Sequence, residues 1–65
     1  MKFKYFEDTD TLYIELRSAE ICETRDLDES TILDLDSQGE VCAITFEHAS
    51  TRTDVQNLSV ERVAA

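Results

Sequence analysis

The chain has 65 residues, 15 of them Asp or Glu and 6 Lys or Arg, for a formal net charge of −9. That length holds one domain at most, and that charge repels nucleic acid, because counterion release needs Lys/Arg clusters that are absent. With 42% of residues apolar and the acid spread along the chain, the sequence reads as a folded acidic domain, not a disordered one.

Lys2 to Phe6 is the first predicted strand, with Phe3 and Tyr5 on one face and Lys2, Lys4 and Phe6 on the other. Glu7-Asp8-Thr9-Asp10 is a polar break of the kind whose side chains bond nearby backbone N–H groups. Leu12 to Arg17 follows as a second strand. Leu12, Ile14 and Leu16 face the core, while Tyr13, Glu15 and Arg17 face out. A hairpin of these two strands is expected, since sequential strands usually pair. Ile21 to Leu27 is read as a charged edge strand. The rival, a helix from Glu20 capped by Ser18, is disfavoured by the β-branched and acidic content past Cys22. Asp28-Glu29-Ser30 is the next turn.

Thr31 to Glu47 is the stretch the fold is built on, a hairpin around the one glycine of the chain, Gly39. Its register is a problem. Leu33 and Leu35 are apolar on the first arm, and Cys42, Ile44 and Phe46 on the second. A three-residue loop Ser37-Gln38-Gly39, with Gly39 left-handed, is the natural chemistry. It sets Leu33 and Leu35 against Val41 and Ala43, and a slip of one residue exchanges the faces. Three solutions remain open: an even loop, a β-bulge in the second arm, or a sheet covered on both faces. His48 to Asp54 is expected to form a short helical turn or loop, and Leu58 to Val63 (LSVERV) a fifth strand, with a helix as its alternative.

YFEDTDTLYIEL followed by TILDLDSQGEVCAITFEHAS resembles a family of small prokaryotic proteins, domain of unknown function 2283. Tyr5, Asp10, Leu12, Tyr13 and Ile14 fit its first motif. Ile32, Leu33, Asp34, Asp36, Gly39, Val41, Ile44, Phe46, Ala49 and Ser50 fit its second. The resemblance covers about residues 1–52. It implies a small single-domain protein without an established activity, so no catalytic residue is carried over. Some members sit beside small toxin-like genes, which implies an antitoxin-like or partner-binding role.

The candidate chemistry is sparse. Asp34 to Gly39 matches the opening of a calcium loop, but position twelve, where a bidentate Glu belongs, is Thr45, and the alternation after Gly39 suits a hairpin. No metal and no cofactor is expected. His48, with Glu47, Ser50 and Thr51 nearby, can be named as a triad only if tertiary geometry supplies a pocket and an oxyanion hole. The reading is that the protein is not an enzyme and that His48 orders the turn after the last hairpin strand. Cys22 and Cys42 read as small core residues. No signal peptide and no CxxC pair is present, so both are expected to be reduced thiols in a cytoplasmic protein, and no run is long enough for a transmembrane helix.

The expected fold is mainly β, with α+β as the alternative. It is a small, meander-like antiparallel sheet of four to five strands on a central hairpin, with at most one short helix. A domain this small buries only about 60% of the surface its unfolded chain exposes and commonly needs a staple. A second polypeptide is the expected one, either a homodimer partner or a small basic protein. Tyr13, Ile32, Asp34, Asp36 and Val41 are the candidate partner-binding residues. A small-ligand or metal-binding homodimer is the alternative function.

Overall fold

The computed structural model describes residues 1–64. Five strands form a single antiparallel sheet: β1 (Lys2–Phe6), β2 (Thr11–Glu15), β3 (Glu23–Asp28), β4 (Thr31–Leu35) and β5 (Val41–Phe46). They are followed by one 3-10 turn, Ala49–Thr51. No helix among the described residues is long and apolar enough to cross a membrane.

The strand order is β1-β2-β5-β4-β3, so the sheet is not the expected meander. Sequential pairing holds for β1–β2, β3–β4 and β4–β5 but fails between β2 and β3. Seen from the C-terminal end, three hairpin-linked strands with a fourth beside the first give a Greek-key order. The β2–β3 connection stays at one end of the sheet. The Leu16 N–H donates to the Cys42 carbonyl at 2.8 Å, and the Cys22 N–H to the Leu35 carbonyl at 2.8 Å. The connection thus borrows its backbone partners from the strands it passes. The reason for this order is apolar content. β5 (VCAITF) is the least charged strand and takes the centre, while β3 (ETRDLD), exposed throughout, takes an edge.

The hairpin solves its register with a three-residue loop and a bulge together. Gly39 has φ +78°, and Asp36 N–H donates to the Glu40 carbonyl at 2.9 Å to close the loop. Asp34 then faces Ala43, while Leu35 faces Val41, so Cys42 is an extra residue in the second arm. That one residue brings Leu33 opposite Ile44 and Thr31 opposite Phe46, which puts the large apolar side chains of both arms on one face.

Three further segments differ from the expectation. Leu58 to Val63 forms no strand, and Val60 and Val63 stand 83% and 80% exposed. Without a hydrogen-bonded neighbour, an alternating six-residue run has nothing to hold it extended. Cys22 is exposed, not part of the core, because it precedes the edge strand; Cys42 is buried. The second strand ends at Glu15, two residues before the expected Arg17, where the chain bends into the connection.

Candidate functional site

Because paired residues in a sheet share a face, the register lays out two surfaces. On the inward face, one row reads Tyr5, Leu12, Phe46, Thr31, Asp28 from β1 to β3, and the next reads Phe3, Ile14, Ile44, Leu33, Arg25. On the outward face, one row reads Lys4, Tyr13, Thr45, Ile32, Asp26, and the next Lys2, Glu15, Ala43, Asp34, Thr24. The outward face therefore runs from lysines at the β1 edge, through an apolar middle, to carboxylates at the β3 half.

The inward face is covered over its first row by the 3-10 turn, which two polar ties hold in place. On the β1 side, Asp10 takes three hydrogen bonds. Tyr5 Oη donates at 2.6 Å, Ser50 N–H at 3.0 Å and Ser50 Oγ at 2.7 Å. The Ala49 N–H also donates to the Asp10 carbonyl at 2.9 Å. These donors hold the Asp10 carboxyl below its ordinary range, the Tyr5 hydroxyl most of all. On the β4 side, Arg52 Nη1 donates to the Ser30 carbonyl and Arg52 Nη2 to Thr31 Oγ1, each at 2.7 Å. The guanidinium also lies 5.0 Å from the centre of the Phe46 ring, within cation–π range. Thr31 is thereby buried without an orphaned hydroxyl, and Ala49 is fully buried under the turn.

Both ties need left-handed backbone. Asp10 has φ 53° and His48 φ 54°, a region where Asn, Asp and His are enriched among non-glycine residues. His48 enters the turn through its backbone, with its carbonyl accepting from the Thr51 N–H and hydroxyl at 3.1 and 2.7 Å. Ser50 Oγ donates to Asp10, so its proton is committed to a carboxylate that anchors the turn. His48, expected to order the turn after the last hairpin strand, lies at the start of that turn, two residues past the end of β5, and its side chain makes no capping hydrogen bond. The sequence reading missed the Tyr5–Asp10–Ser50 tie. Its one available signal was that all three positions fit the family motifs.

Beside the turn, the inward face stays open as a groove of about 330 Å³ lined by Phe3, Leu12, Ile14, Phe46, Arg52 and Leu58 among others. Of the second row, Phe3 (42% exposed) and Ile14 (half-buried) line it together with Leu58 of the tail, while Ile44 and Leu33, also half-buried, lie beyond it along the same row.

The five candidate partner-binding residues separate. Tyr13, Ile32 and Asp34 lie together on the outward face. Burial, and then the Asp34 carboxylate, push the Tyr13 phenol up. Val41 pairs with Leu35 and so shares the inward face, because the bulge at Cys42 exchanges the face of everything before it. Asp36 stands at the hairpin loop. Its carboxylate accepts from the Gln38 and Glu40 N–H groups at 2.9 and 3.0 Å and pairs with Arg17. Asp34 instead accepts from the Thr24 hydroxyl at 3.2 Å, so the two aspartates of the calcium-loop-like run have separate structural partners.

A family model described as Protein of unknown function (DUF2283) matches residues 2–50. No curated protein and no solved structure matches. The matched span takes in both halves of the Tyr5–Asp10–Ser50 tie and stops short of Arg52.

Proposed function

The chain belongs to the DUF2283 family, and from that premise we propose that it is a non-enzymatic protein-interaction module, an antitoxin-like acidic partner of a small basic protein. The observation that carries this reading is the outward face. Tyr13 and Ile32 flank Thr45 in one row, and Glu15 and Asp34 flank Ala43 in the next. An aromatic and an aliphatic anchor beside carboxylates is the composition of a binding surface with an apolar centre and a charged rim. The acidic half of the face, with Asp26 at its edge, steers a basic partner and selects against acidic ones; its effect falls on association rate and specificity more than on affinity.

The test is capture from native cells by the tagged chain, run beside the D26N/D34N double variant. A small basic protein recovered with the wild type, lost from the variant and released by salt supports the reading. Recovery of the chain alone, or of a protein indifferent to the variant, counts against it.

One observation favours a small-ligand protein as the second reading: the inward groove of about 330 Å³ falls at the lower end of the volumes that ligand pockets occupy. Ligands that bind only the folded state raise its melting temperature. A flat response to a panel of apolar metabolites removes that reading.

A further inference from the structure

We propose that the open inward face is the contact surface of a homodimer, with a second copy of this chain laid face to face over the Phe3–Ile14–Ile44–Leu33 row. This inference concerns the opposite face from the proposed basic partner and stands independently of that reading.

The molecule measures 36 × 33 × 19 Å with a radius of gyration of 12.9 Å, where a compact chain of this length has about 11 Å. One sheet with a short turn on it is a single layer and a fraction of a second, whereas stable domains close their apolar faces between two layers.

The chain exposes 5138 Å², against about 4,200 Å² for a compact monomer of this mass. The surplus lies in the tail and on the open face, where Phe3 and Leu58 are 42% and 46% exposed. The share on the open face is apolar area that an interface of standard size, roughly 800 Å² per partner, would cover.

Charge favours a second copy over a basic protein on this face. Despite the net charge of −9, the inward rows carry acid only at the β3 end. Glu23 there is paired to Arg25 at 2.7 Å, and Asp28 lies in the field of Arg52. The remaining acids lie on turns, connections, the tail and the outward face. The inward face is locally balanced, so it offers a basic partner nothing to select, and two copies can meet there without opposing like charges. A two-fold contact needs a self-complementary patch, and a row of apolar side chains with an Arg at one end and a Phe at the other supplies one. Two sheets packed this way lie about 10 Å apart with interdigitated inner side chains.

Sedimentation and light scattering on the purified full chain, from about 1 µM to about 100 µM, test the proposal across the range of a micromolar dimer. The expected result is twice the chain mass at the upper end. A melting temperature that rises by on the order of 10 °C over that range is expected with it. Phe3→Glu places a charge in the open row from an edge strand; it weakens the dimer about tenfold or more while circular dichroism keeps its strand signal. Tyr13→Ala, on the outward face, leaves the dimer as tight as the wild type. The proposal is overturned by a monomer mass with a concentration-independent melting temperature, by a monomer carrying a small molecule in native mass spectrometry, or by a dimer that Tyr13→Ala breaks and Phe3→Glu does not. Should Phe3→Glu lose its strand signal, the concentration dependence of the wild type still decides.

Discussion

The Tyr5 hydroxyl donates a 2.6 Å hydrogen bond to Oδ1 of Asp10, across the turn between the first two strands. The same carboxylate takes both the N–H and the hydroxyl of Ser50, 40 residues further on. One aspartate therefore ties the first hairpin to the turn that covers the core.

This tie predicts how stability depends on pH. The folded Asp10 carboxyl lies below its ordinary value near 3.8, first because of Tyr5 and then of Ser50. Its contribution is complete above that value and is lost as pH falls through the lower, folded one. Asp28 and Asp36 are lowered too, chiefly by the backbone N–H groups of Ser30 and Glu40, so the three add on the acid side. Tyr5 has the mirror sign. Its bond to Asp10 raises it above 10.0, so its contribution is complete below that value and is lost as pH rises through the folded one. Thermal melts from about pH 2 to about pH 11 span both limbs. D10N is expected to shrink the acid limb to the share of Asp28 and Asp36 and to weaken the alkaline one, because it removes one titrating acid and leaves Tyr5 a neutral acceptor in place of a carboxylate. An unchanged profile in D10N would refute the assignment.

The hairpin loop makes a separate, local prediction. Gly39 has φ +78°, and a Cβ added there meets nothing within 4 Å. The cost of Gly39→Ala is therefore backbone strain alone, about 1–2 kcal/mol. Gly39→Asn is expected to cost less, because Asn tolerates the left-handed region. Urea denaturation reads both; equal losses for the two variants would point to a packing effect instead.

Core and edge should respond in opposite ways to truncation. Leu12 is buried under the 3-10 turn, so Leu12→Ala is expected to cost about 2–5 kcal/mol. Leu27, the extra residue of the bulge in β3, is 64% exposed, and Leu27→Ala is expected to stay within about 0.5 kcal/mol. Chemical denaturation of the two variants side by side checks this, and a comparable loss at Leu27 would mean that the β3 edge is covered.

Salt separates the two faces. Raising ionic strength from about 0.1 M to about 1 M shortens the screening length from about 10 Å to about 3 Å. Two copies of a chain with net charge −9 repel at long range, so the dimer is expected to tighten with salt. A complex of the outward face with a basic protein is expected to loosen. Sedimentation across a salt series reads the first, and titration of a captured partner the second. A homodimer that dissociates in high salt would contradict the apolar contact.

Much of the fold is readable from local pattern. The alternation of Leu12 and Ile14, the polar break before them, the charged edge strand and the glycine loop each mark an element within a few residues of itself. The conflict between Leu33/Leu35 and Cys42/Ile44/Phe46 shows that something must give in the second arm. The candidate surface is less readable. Tyr13, Ile32 and Asp34 come together on the outward face as the alternation suggests, whereas one bulged residue turns Val41 to the other side.

What the sequence determines by itself is the set of strands and their turns, because alternation, φ preference and side-chain-to-backbone bonding act over a few residues. Tertiary structure decides the neighbours. β5 rather than β3 lies beside β2, Asp10 finds Ser50, Arg52 finds Thr31 and Phe46, and LSVERV is left unpaired. The physical reason is distance along the chain. A hydrogen bond between residues 40 apart leaves no periodicity in the sequence, and an alternating run becomes a strand only where a free edge lies within reach to receive it.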